Sequence, residues 1–144
     1  MSALTRRSID NLSLCHPDLQ VLAEKAIKYV DFEVIDGFRG KDRQDRAYAI
    51  GKSKLPWPNS KHNHRTKRLI DGELQMAPES LAFDIGARED DKITWDAKYY
   101  YFIAGVMKTV AKILGIDIRW GGDWDSDGNF NDQTFNDLGH YELI

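Results

Sequence analysis

At 144 residues the chain suits one domain with a real hydrophobic core, and its 42% apolar and 30% charged residues are ordinary for a soluble globular protein. A net charge of −3 excludes a broad basic face for nucleic acid, and a single cysteine, Cys15, excludes a disulfide framework or a cysteine zinc knuckle. No apolar run approaches the ~20 residues that cross a bilayer, and the charged residues after Met1 lead into no apolar stretch, so neither a membrane span nor a secretory signal is expected.

Residues 8–14 read as a short helix or turn with Ile9 and Leu12 inward. Pro17 suits the first position of a helix running to about Tyr29, whose apolar residues Leu19, Leu22, Ala23, Ala26 and Val30 recur at three- and four-residue spacing. Phe32 to Asp36 alternates as a strand, with Phe32, Val34 and Asp36 on one face, and Arg39 projects just beyond its end. Asp42 to Ile50 is a short charged helix carrying Gln44, and Pro56-Trp57-Pro58 makes residues 51–58 a loop. Lysine and arginine crowd between Arg39 and Arg68, which reads as a solvated region or as attraction to an anionic polymer. Leu81 to Ile85 is a strand that places Ala82 and Asp84 opposite Leu81, Phe83 and Ile85. Ile93 to Trp95 is a short strand or a loop. Asp96 caps a helix to about Leu114, ~28 Å long, and Gly115 ends it. Tyr99, Tyr100, Ile103, Val106, Met107, Val110, Ile113 and Leu114 make that helix the core element. Ile116 to Trp120 and Gly139 to Ile144 are strands, the second with His140 and Glu142 on one face.

Two features carry chemistry. His62, Asp84 and His140 are two imidazoles and a carboxylate, a set that Zn²⁺ accepts; a catalytic zinc takes three protein ligands and keeps a fourth position for water. His64 competes with His62 for the first place, and spacing alone does not separate ligands from ordinary surface or core histidines. The second feature is Asp123-x-Asp125-x-Asp127-Gly128, with Asp132 beyond. It resembles the first half of an EF-hand loop, but its twelfth position is Thr134 rather than Glu, which leaves a calcium site and a plain acidic turn both open.

The order Ser60-x-His62, Ala82-x-Asp84 on a strand and Asp137-x-x-His140-x-Glu142 resembles the LAS-type zinc peptidases. These comprise D,D-carboxypeptidases, D-Ala-D-Ala dipeptidases and phage L-alanyl-D-glutamate endopeptidases, and the likeness is nearest to the small phage endolysins. Gly37-Phe38-Arg39, Leu114-Gly115-Ile116 and the run Arg119 to Trp124 extend it over nearly everything from Val34 onward.

The resemblance implies one α+β domain over residues 1–144: a small antiparallel sheet, helices on one side and zinc on the open face. It places the metal on His62, Asp84 and His140, so His62 rather than His64. Asp137 becomes the catalytic acid/base, and Arg39 binds the peptide near the metal and steadies its oxyanion. Ser60 assists beside the metal, and Glu142 orients an imidazole. Residues 65–78 exceed the family's short spacing between histidine and aspartate and read as an insertion. The implied substrate is peptidoglycan, its stem peptide cut between L-alanine and D-glutamate. The implied setting is a monomer made in a host cytoplasm and released onto the wall at lysis, with calcium in the acidic loop as a switch. Two rivals stand beside this: a D,D-carboxypeptidase or dipeptidase acting on D-alanine ends, and a non-catalytic module that binds wall or calcium.

Overall fold

Strand register decides which side chains this protein hides and which it offers. The computed structural model describes residues 2–131 and 136–144. The main sheet runs in the order β1 (Phe32–Asp36), β4 (Ala82–Glu89), β7 (His140–Leu143) and β6 (Ile118–Trp120), with β5 (Lys92–Thr94) folded back on β4. Every pairing in it is antiparallel. Side chains alternate across a strand, so residues paired directly across share a face. Phe32 opposite Ala87, Val34 opposite Ile85, and Phe83 and Trp120 opposite Tyr141 put one continuous apolar layer on one side. None of these seven is more than 1% exposed, so that side is sealed.

The seal comes from two helices. In α2 (Pro17–Ala26), Leu19, Leu22, Ala23 and Ala26 form the buried stripe, and Pro17 stands at its start as expected. In α4 (Ala97–Leu114), Asp96 accepts from the Lys98 N–H at the start, and Gly115, at φ 72°, turns the chain out at the end. Tyr100, Ile103, Ala104, Met107, Val110 and Ala111 are its buried residues, whereas Ile113 is 79% exposed. Six residues from Met107, Ile113 lies about 120° around the helix, beyond the stripe that meets the sheet. Ile9 also faces outward from α1 (Arg6–Leu12); Ser8 takes the inward place, its hydroxyl accepting from the Val34 N–H at 2.8 Å.

Two departures from regular alternation matter for the site. Register shifts between Val34 and Asp36, so that Asp36 stands opposite Asp84 instead of following Phe32 and Val34 onto the apolar face. Residues 65–78, expected only as an insertion, form a separate hairpin of β2 (Arg65–Ile70) and β3 (Glu73–Pro78). Its turn, Asp71-Gly72, has φ of 50° and 82°, as a tight two-residue hairpin turn requires.

Candidate metal centre and active site

Opposite the sealed layer, the register sets Asp84 directly across from His140, and Glu142 across from both Ala82 and Arg119. The third donor comes from a single 3₁₀ turn, Lys61–Asn63. Ser60 caps that turn, its hydroxyl accepting from the His62 N–H at 3.2 Å, while the Asn63 side chain accepts from the Ser60 N–H. Ser60 thus fixes the backbone that carries His62. His62, Asp84 and His140 are all buried.

Three atoms converge. His62 Nε2 lies 3.3 Å from His140 Nδ1 and 3.3 Å from Asp84 Oδ1, and the last two are 2.9 Å apart. A tetrahedral zinc with ligand bonds of 2.0–2.1 Å has edges of about 3.3 to 3.4 Å, so this triangle has the size of one tetrahedral face. Lone pairs point correctly too. His62 Nδ1 meets the Gly37 carbonyl at 2.6 Å and His140 Nε2 meets Glu142 Oε1 at 2.9 Å. Each of those oxygens takes a hydrogen from its ring, leaving the opposite nitrogen free to ligate. On Asp84, Arg39 Nη2 holds Oδ2 at 3.4 Å and leaves Oδ1 for the triangle. The donor set therefore fits zinc.

Electrostatics without an ion show the same convergence. Burial opposes charge on Asp84, but the two imidazoles outweigh it and hold that carboxyl well below the usual range. Burial likewise opposes charge on His140, yet hydrogen bonds to Asp84 and Glu142 lift it to about 10. Glu142 is lowered despite burial, chiefly by His140, with Lys61 and Arg119 assisting.

Asp137 enters from the loop before β7. Its N–H donates to the Gly121 carbonyl at 2.9 Å, and its own carbonyl accepts from the His140 N–H at 3.0 Å. A side chain on Gly121 would put its Cβ 2.1 Å from the Asp137 carbonyl oxygen, so only glycine permits this approach. Burial, and then the charge of Asp84, raise the Asp137 pKa; His140, His62 and Lys52 oppose the rise. His62, Asp84, Asp137, His140 and Glu142 line one cleft of about 630 Å³, room for a peptide segment.

Arg39 also borders the cleft but is buried and heavily engaged. Its Nε and Nη2 donate to Asp36 Oδ2 at 3.1 and 2.8 Å, and its Nη1 donates to Gln44 at 2.9 Å. Sequence reasoning missed Gln44 as a site residue. Fully buried, its carbonyl accepts from Arg39 and from Asn63 at 3.2 Å, while its amide donates to Ser53 at 2.9 Å and to the Leu55 carbonyl at 2.6 Å. Gln44 stands three residues after the start of α3 (Lys41–Ala49), a charged helix in which one more polar residue gives no signal of burial. Trp124 was also missed; its ring lies 5.3 Å from that of His140.

His64 is not brought in. It is exposed, its Nδ1 paired with the Glu79 carbonyl at 2.8 Å. In the acidic loop Asp123, Asp125 and Asp127 offer oxygens within 4.8 Å of one another. Asp123 already accepts from the N–H groups of Asp127 and Gly128 at 3.2 and 2.9 Å. Asp132 lies outside the described residues.

Comparison with known proteins identifies the family. The family model for phage L-alanyl-D-glutamate peptidase matches residues 1–144. The L-alanyl-D-glutamate peptidase of Escherichia phage T5 is 30% identical over 146 residues, covering 96% of either chain. The crystal structure of the L-Ala D-Glu endopeptidase ChiX from Serratia marcescens matches with a TM-score of 0.73 at 28% identity, over 98% of this chain and 89% of that one.

Proposed function

The chain belongs to the phage L-alanyl-D-glutamate peptidase family, and on that premise we propose that it is a zinc-dependent peptidoglycan endopeptidase that opens the stem peptide between L-alanine and D-glutamate during host lysis. The observation that carries the zinc reading is the triangle of His62 Nε2, Asp84 Oδ1 and His140 Nδ1, whose edges suit a tetrahedral ion. When bound there, zinc supplies Lewis acidity and brings the ionisation of water to about pH 7.

The protein's own groups do the rest. Gly37 and Glu142 hold the two imidazoles in the tautomers that ligate, and Arg39 turns Asp84 so that one oxygen alone faces the ligand triangle. Asp137, whose proton affinity is raised by burial and by Asp84, takes a proton from the attacking water and hands it to the leaving nitrogen. The positive charge of Arg39 in the cleft wall favours the negative oxygen that develops on the carbonyl.

Purified wall is the test. New L-alanine C-termini and D-glutamate N-termini, identified by mass spectrometry, lost on chelation and regained with zinc, are the expected result. Released free D-alanine would instead favour the D,D-carboxypeptidase reading, and binding without new termini the non-catalytic one. Calcium in the acidic loop is a second reading, supported by the convergence of Asp123, Asp125 and Asp127. It predicts a calcium-dependent rise in Tm that an Asp125→Asn, Asp127→Asn variant lacks.

A further inference from the structure

Five basic side chains border the cleft against four acidic ones, in a chain whose net charge is −3. Three of the five are committed to the frame. Arg39 is held by Asp36, Gln44 and Asp84. Lys61 and Arg119 flank Glu142 Oε2 at 3.6 and 3.9 Å, steadying the carboxylate that orients His140. Lys52 and Lys54 line the cleft from the 51–59 loop, and Lys54 is itself engaged.

Lys52 is exposed, enters no ion pair among the described residues and lines the same cleft as Asp137, where its charge favours the ionised carboxylate. Its loop is anchored. Ser53 donates its N–H to the Ala47 carbonyl at 3.1 Å, and the buried Gln44 amide holds both Ser53 and Leu55 while its carbonyl holds Arg39. The ammonium group is thus carried on backbone tied to the catalytic frame.

Resting on the endopeptidase reading, chemistry supplies the partner. Asp137 delivers a proton to the leaving nitrogen, so a cation lining the same cleft as Asp137 is available to the residue to which that nitrogen belongs. That residue is glutamyl. It has two carboxyl groups; where one carries the chain onward and the other is underivatised, that other is an anion a few bonds from the scissile position. We propose that Lys52 binds this free carboxylate and so selects an acidic residue on the leaving-group side.

Two synthetic stem peptides, identical except that the free glutamyl carboxylate is an acid in one and a primary amide in the other, test it. The parent enzyme is expected to favour the acid by roughly tenfold in kcat/KM, the scale of one partly exposed charged contact. Lys52→Met should erase that preference by raising KM for the acid peptide, and Lys52→Arg should restore part of it. A preference that survives in Lys52→Met, or an equal loss on both peptides, overturns the inference and leaves the endopeptidase reading standing. A parent enzyme that cuts neither peptide rejects the endopeptidase reading, and the inference falls with it.

Discussion

Metal-free protein should keep one imidazolium well into the alkaline range. His140 lies between Asp84 Oδ1 and Glu142 Oε1, each at 2.9 Å, and the pair lifts it to about 10 against an ordinary value of 6.5. At pH 7 its protonated form then outnumbers the neutral one by about 10³. Only a neutral ring ligates, so zinc must displace that proton, and apparent affinity should climb about tenfold per pH unit through neutrality. The sign for folding follows as well. Because the folded value is raised, this group stabilises the metal-free fold fully below pH 6.5 and loses that contribution as pH rises towards 10. Ring-nitrogen NMR of the metal-free protein reads the charge directly, and chelator competition reads the affinity. The His140 ring should remain cationic at pH 8.5. If the His140 ring is neutral there, or zinc affinity is flat from pH 6.5 to 8.5, the charge-sandwich account of His140 is wrong.

Gly121→Ala should lose at least about 10²-fold in kcat, because its methyl would force away the Asp137 carbonyl that also holds the His140 N–H; zinc content, Tm and kinetics on the same sample check it, and parental kinetics would refute it. Gln44→Leu leaves Arg39 Nη1 without its acceptor in the interior, while Asn63 keeps the Arg39 carbonyl and the Leu55 carbonyl keeps the Ser53 hydroxyl. At ~1–3 kcal/mol for a buried polar group left unpaired, urea unfolding should show a loss of about that size, and a loss well under ~1 kcal/mol would refute the relay. Burial, with help from Asp36 and Asp84, pushes the Cys15 thiol up to about 12. A disulfide reagent at pH 8 should therefore modify it about 10³-fold more slowly in native than in urea-unfolded protein.

Much of this was legible before any coordinates. Period-two alternation located the strands that carry Asp84 and His140, and the helix from Asp96 to Gly115 announced both its cap and its exit. His62, Asp84 and His140 do meet. What escaped depends on partners distant in sequence. Asp36 changes face because β1 slips against β4, which no residue of β1 declares alone. Gln44 looks like any polar helical residue until Arg39, Ser53 and Asn63 surround it. Ile9 and Ile113 were placed inward on hydrophobicity, whereas the packing stripe is narrower than the run of apolar letters. The Asp71-Gly72 pair was a hairpin signal available in the sequence and left unused.

That hairpin has a consequence for how the scaffold tolerates change. Arg65 and Pro78 are direct neighbours across its base, so chain leaving the His62 turn returns almost at once to the strand bearing Asp84. The stretch between them works as a detachable ornament, and its length need not alter the distance between the two anchors. A shorter β-turn, a longer ribbon or a foreign peptide tag could be spliced there, which makes this the natural graft point for re-equipping the protein without disturbing its centre.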